Sequence, residues 1–255
     1  MAREQNLVLG AGKLFFDRWD ADGNPTGEFY IGNTTSLTYS VNEDKLEHYS
    51  SDTAARERDA SVVTRSTATV GFTTDDIQPE NLAMMFKGSK TTLTEAGSTA
   101  ATSTFNGFKG RWFQLGVDDD NPSGVRGITF TSLKKGVAVI ATTEYVVDAT
   151  LGRVFLNEDA AGFTDGDALE ATFDVEASTR TVILATGEQV QGAMRYIADN
   201  TEGDNVDYFW PKIIVSPDGD YQFKGDNWNE MQFTGEVTKK GLLEKLYIDG
   251  RPHLA

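Results

Sequence analysis

Gly10-Ala11-Gly12-Lys13 comes after the apolar run Leu7-Val8-Leu9 and superficially resembles a turn that cradles phosphate. It lacks the third glycine of a dinucleotide fingerprint and the Ser/Thr and spacing of a P-loop. The next residues, Leu14-Phe15-Phe16, read as a strand, so a glycine-rich turn is the better reading. Asp17, Asp20, Asp22 and Asn24 form one oxygen-rich cluster, and Asp118-Asp119-Asp120-Asn121 forms another. Calcium takes such ligands, but neither segment has the glycine and closing glutamate of an EF-hand loop, which favours solvated turns. His48 and His253 stand alone, outside any His-Glu-x-x-His pattern, and zinc would need carboxylates to complete its shell. No Gly-x-Ser-x-Gly elbow is present. Paired carboxylates run glycoside hydrolysis, yet 39 acids guarantee close pairs by chance. The expectation is a protein with no catalytic residues, no cofactor and no metal.

The charge balance carries more information than any of these motifs. Acidic residues number 39 and basic ones 23, and 39 − 23 leaves a net charge of −16. Gripping duplex nucleic acid takes Lys and Arg that displace counterions from phosphates, so such a surface is not expected. With no cysteine there are no disulfides, thiolate ligands or cysteine nucleophiles, which fits a reducing compartment. Met1–Gly10 lacks the pattern of a signal peptide, and no stretch approaches the ~20 apolar residues of a membrane helix. The sequence therefore predicts synthesis in the cytoplasm and no membrane partner. Asn157 to Glu176 holds seven acids and no base, and Asp199 to Asp207 holds four acids and no base. Such runs are either solvated faces or a surface that must not stick to something negative. Composition alone does not choose between the two.

The elements that must carry these residues are mostly strands. Val62 to Thr74 alternates, with Val62, Ala68, Val70 and Phe72 on one face and Arg65, Thr67, Thr69 and Thr73 on the other. Leu169 to Val175 and Met231 to Val237 alternate in the same way. Further strands are expected at Lys13–Trp19, Ser36–Val41, Gly127–Leu133, Thr143–Val147, Thr179–Ala185, Gly192–Ala198, Val206–Val215 and Glu244–Ile248. Asp22-Gly23, Asp165-Gly166 and Asp218-Gly219 supply turns, and Asp148 to Gly152 reads as a hairpin connection. One helix is expected within Asp75–Gly88, with Pro79 at its start, Lys87-Gly88 at its end, and Ile77 or Leu82 with Met85 and Phe86 as its apolar stripe. Ser89 to Ser103, rich in Thr, Ser, Ala and Gly, reads as a linker. Residues 108–175 read as an inserted β module, and 1–107 with 176–255 as a discontinuous core.

Several stretches resemble the tail tube (major tail) proteins of long-tailed bacteriophages. The resemblance runs from Lys13–Phe16 through Glu28-Phe29-Tyr30-Ile31-Gly32-Asn33 and Ser36–Val41 into Lys45-Leu46-Glu47-His48-Tyr49-Ser50-Ser51. It continues with Pro79–Gly88, Val190–Tyr196 and Tyr208-Phe209-Trp210-Pro211-Lys212, and closes with Lys224–Phe233. The middle module departs from the smaller members of that family. The resemblance implies a mainly β fold: a β-sandwich or partial barrel with one flanking helix and a long hairpin arm. It also implies hexameric rings stacked into a hollow tube, a structural part of the virion tail through which the genome leaves. Partners would be the chain itself, tape-measure, tail-terminator and baseplate or tail-tip proteins, with DNA sliding through unbound. The arm that orders on the next ring would be Tyr49, Ser50, Ser51, Asp52, Thr53, Ala54, Ala55, Arg56, Glu57, Arg58, Asp59 and Ala60. Glu43, Asp44 and Glu47, on the strand entering that hairpin, are the candidate acids of the bore. The inserted module would sit outside.

Overall fold

Val, Thr and aromatic residues alternating with polar ones over short runs bury one side of a pleated ribbon, and the computed structural model is built almost wholly from such ribbons. It describes residues 7–52 and 54–251. In chain order the first strands are β1 (Gly12–Arg18), β2 (Phe29–Tyr30), β3 (Thr34–Tyr49) and β4 (Arg58–Thr74). A short helix, α1 (Pro79–Met85), comes next, and then β5 (Ser89–Glu95), β6 (Ser98–Asn106), β7 (Trp112–Gln114), β8 (Ile128–Lys135) and β9 (Ala138–Val139). A 3-10 turn at Thr142–Glu144 leads into β10 (Tyr145–Asp148), β11 (Arg153–Leu156), β12 (Ala168–Val175) and β13 (Ser178–Leu184). The chain ends with β14 (Val190–Ala198), β15 (Val206–Pro217), β16 (Met231–Val237) and β17 (Tyr247–Gly250).

The chain divides into two units, the first comprising residues up to Thr91 and from Ile183 onward, the second Thr92–Val182. In the first unit one antiparallel sheet runs in the order β2-β1-β14-β15-β16-β4-β3, and β17 also pairs with β15. Its two edges, β2 and β3, are joined by only Ile31–Asn33, so the sheet curls toward closure. Tyr39 on β3 reaches across to Trp210 on β15, ring centroids 6.5 Å apart. Phe16, Val70, Phe72, Met194, Ile213, Val215 and Phe233 fill the interior. Helix α1 packs on β15 and β16 and adds Met84 and Met85 to that core.

The helix stops at Met85, just ahead of Lys87-Gly88, where the sequence placed its end. Lys87, not Gly88, takes the left-handed position, with φ of 47°. The Gly88 N–H then donates to the Ala83 carbonyl at 2.7 Å and the Lys87 N–H to that of Met84, which closes the last turn. Gly88 is required for space, because a Cβ there would lie 2.1 Å from the Leu184 carbonyl oxygen.

The second unit has its own core. A four-stranded sheet, β6-β12-β8-β9, and a three-stranded one, β10-β11-β7, enclose Leu115, Leu133, Val154, Leu156, Phe163, Leu169, Ala171 and Phe173. Gly152 at φ 65° turns the β10–β11 hairpin where Asp148–Gly152 predicted one. The expected linker at Ser89–Ser103 is instead β5 and most of β6, and the unit's limits fall at Thr92 and Val182 rather than at 108 and 175. Threonine-rich strands with few large side chains look like linkers by composition, although threonine favours the pleated backbone. Strands β5 and β13 pair with each other where the chain passes between the units. Arg180 on β13 donates to Glu95 Oε2 at 2.9 Å, Asn121 Oδ1 at 3.0 Å and the Gly124 carbonyl at 3.0 Å, a largely buried clamp.

Candidate functional site

The acids that suggested calcium are occupied by their own backbone. Asp17 Oδ1 accepts the N–H groups of Thr26 and Gly27, both at 2.9 Å. Asp20 accepts those of Asn24 at 2.7 Å and Asp22 at 3.0 Å, and the Asn24 bond is the main reason its carboxyl titrates below the usual range. Asp118 accepts from Asn121 and Asp120. These are turns closed by a carboxylate. Among the described residues no three His, Cys, Asp or Glu side chains gather as a metal site would need. Gly10–Gly12 lead into β1, and a Cβ on Gly12 would overlap the Tyr196 ring. His253 lies outside the described residues, as does Thr53 of the expected arm.

The arm itself is larger than the sequence indicated. Strands β3 and β4 pair from Thr34↔Thr74 to Tyr49↔Arg58, while β16 supports β4 only from Ala68 to Thr74. Past Val41 and Ala68 no other described strand pairs with the two, and both of their faces are exposed. Residues 42–49 of β3 make this ribbon about 27 Å long at ~3.4 Å per residue. Tyr49, Arg58 and Ala60 of the expected arm are paired strand, with Asp59 bulged between Arg58 and Ala60, and the connection is confined to the span between Tyr49 and Arg58. The segment carries charge on both faces, so no alternation marks it as a strand, and only the partner strand reveals its extent.

Two register shifts shape the arm, one at Asp44/Lys45 and one at His48/Tyr49. The first leaves Thr64 unpaired in the ladder, its hydroxyl donating to the Asp44 carbonyl. That extra residue turns Val62 onto the face of Arg65, opposite Ala68, Val70 and Phe72, which corrects the simple alternation. The register then sorts the candidate acids. Glu43 and Glu47 share the face of Lys45, Tyr49 and Arg58; Asp44 shares the other with Leu46, Arg65 and Val62.

Glu43 pairs with Lys45 at 3.4 Å and Glu47 with Arg58 at 2.5 Å, both in solvent. The Tyr49 hydroxyl, 2.6 Å from Glu47, is the first cause and Arg58 the second of a Glu47 carboxyl that titrates below its usual range. His48 Nδ1 lies 2.6 Å from Asp59 Oδ1. The Glu47–Arg58 and His48–Asp59 pairs cross from β3 to β4 and brace a ribbon that has no core of its own.

The Asp44 face continues into the body as a row of hydroxyls and amides. Ser36 bonds Thr73 at 3.0 Å, Ser40 and Thr69 lie 2.7 Å apart, and Thr234 and Gln232 stand beside them on β16. Exposed Glu236 pairs with Thr69 on this face. Sequence patterns did not single out the aromatic set formed by Tyr39, Tyr196, Tyr208 and Trp210. The one legible trace was Tyr208 and Trp210 on alternate residues of a single strand.

A family model matches residues 7–241 and is described as Protein of unknown function UCP028589. The chain belongs to this family. The family match spans the arm, α1, the second unit and the aromatic set together, so these features lie within one family unit. No curated protein matches the chain.

Proposed function

We propose that the chain is the tail tube (major tail) subunit of a long-tailed bacteriophage, a structural protein that forms stacked hexameric rings. The observation that carries this reading is the arm: a two-stranded ribbon, exposed on both faces, extending from an open sheet edge. An isolated hairpin is marginal in water, and a long unpaired edge invites another strand. A chain that keeps both has surfaces completed by further copies. Six sheets joined edge to edge close a ring and satisfy the unpaired backbone groups.

The hydroxyl-rich face of the body would line the bore, with Glu236 as its acid and Asp44, opposite Arg65, at the edge where the arm begins, while Glu43 and Glu47 stay with their cations on the other face. A hydroxyl and carboxylate lining gives phosphates few Lys or Arg partners. Screening over ~8 Å at physiological salt makes the repulsion a short-range non-stick surface. DNA then passes without specific binding. The second unit decorates the exterior, and tape-measure, terminator and tail-tip proteins contact the ends of the tube.

The test is direct. Concentrated protein, alone and seeded with tail-tip complex, is imaged by negative-stain microscopy and sized by sedimentation. Six-fold rings or tubes with an open, acidic bore are expected. A chain that stays monomeric in both conditions, or a polymer with a sealed or basic interior, rules the reading out.

A further inference from the structure

Strands β2 and β3 are one run of chain that first pairs with β1 and then leaves it at Ile31–Asn33. Beyond that point the edge of β3 and the start of β1 face each other without pairing. Between them lies a cleft of about 350 Å³, lined by Gly10–Gly12 on one side and Thr34–Tyr39 on the other. Its floor is Tyr39, Tyr196, Tyr208 and Trp210, whose rings succeed one another at 6.0 to 6.5 Å. Burial raises the Tyr196 hydroxyl's pKa above its ordinary value. Trp210 is only 3% exposed, and its indole N–H has no hydrogen-bond partner among the described residues. A buried donor left unpaired costs free energy until an acceptor arrives. Among the described residues the lining holds no charged side chain.

The arm has the complementary deficit. Leu46 and Val62 stand opposite each other on it, 68% and 63% exposed, with Ala60 next to them on the same face. On one side this apolar centre is bordered by Asp44 opposite Arg65, an apolar patch with a charged rim. We propose that the seam between β1 and β3 is a strand-accepting slot and that its occupant is the arm of a second copy. Leu46 and Val62 rest on the aromatic floor, and backbone of the arm pairs with the free β3 edge. Edge pairing supplies affinity and the aromatic floor supplies selection, as in other strand-addition complexes. Because arm and slot are different surfaces of one chain, the contact is head-to-tail, and repetition generates a ring or a filament. This inference rests on the tube reading and names the surface on which its arm docks.

The absence of cysteine makes the experiment clean. A full-length chain carrying Leu46→Cys and Thr35→Cys is assembled, oxidised and run without reductant. A ladder of cross-linked multimers is expected from polymer, and none from dilute monomer or from either single variant beyond dimers. In parallel, Tyr39→Lys, which sets a charge on the floor, should raise the concentration needed for polymer at least tenfold. Folding of each variant is confirmed by circular dichroism. Polymer that forms normally in Tyr39→Lys and gives no ladder overturns the slot while leaving the tube reading intact. A ladder obtained instead from Val8→Cys with Thr35→Cys assigns the slot to the Leu7–Leu9 segment and also overturns the proposal. Failure of the unmodified chain to assemble under any condition overturns both.

Discussion

Replacing Leu46 and Val62 together with threonine separates what the arm does for the monomer from what it does for the assembly. Both side chains are about two-thirds exposed in the single chain. Threonine is β-branched, a shape that suits a ribbon. The monomer should therefore change by no more than ~0.5 kcal/mol, the range of ordinary surface substitutions. Docked arms are another matter. Full burial of a Leu or Val side chain is worth about 1.5–3 kcal/mol, so covering the exposed two-thirds of each gives about 1–2 kcal/mol. Threonine retains one methyl group, and the pair should forfeit about 1.5–3 kcal/mol per docked arm. At 1.4 kcal/mol per decade this weakens each contact roughly 10- to 150-fold. Sedimentation across a dilution series reads the change as a rise in the concentration at which polymer appears, and urea unfolding of the dilute protein supplies the control. An unchanged polymer threshold would refute the docking role of these side chains. A monomer destabilised by more than about 1 kcal/mol would show that they are already buried in the single chain, contrary to their exposure on the arm.

The same geometry sets other outcomes. Phe72 stacks on Phe233 at 5.0 Å in the first core, and Phe72→Ala should cost about 3–5 kcal/mol by chemical denaturation. Arg180→Ala strands the largely buried Glu95 carboxylate and should destabilise the second unit by about 2 kcal/mol, detectable as earlier exchange of its amides. Joining Thr91 to Ile183 through a short flexible linker removes a unit with its own core, and the remaining chain should still unfold cooperatively and polymerise. Asp167 is held near a pKa of about 2, first by Lys135 and then by Thr164. A depressed carboxyl pKa contributes stability that is complete above the ordinary value near 3.8 and is lost as pH falls toward 2. Asp167→Asn should therefore flatten the acid limb of the unfolding curve between those values, with the titration itself monitored by carboxyl NMR.

Much of the fold could be read from residue order. Met231–Val237 and Leu169–Val175 alternate because one side faces a core, and both are strands with their apolar residues buried. Asp-Gly turns marked the ends, since Gly23, Gly166 and Gly219 all carry positive φ. Pro79 at the first helical position was equally plain. These features are local: each arises from a period or a backbone preference within a few residues.

The features that the chain alone did not disclose depend on partners distant in sequence. Strand β3 runs eight residues beyond Val41 because β4 lies beside it, not because its side chains alternate. The extra residue at Thr64 decides which face Val62 occupies, and register is a property of two strands at once. The cleft over Trp210 exists only because Ile31–Asn33 lead β3 away from β1 while a curled sheet brings residues 39, 196, 208 and 210 together. Composition and periodicity determined which segments prefer the pleated backbone and which residues seek a core. Tertiary pairing decided which edges were left open, because an open edge is defined by the strand that is missing from it.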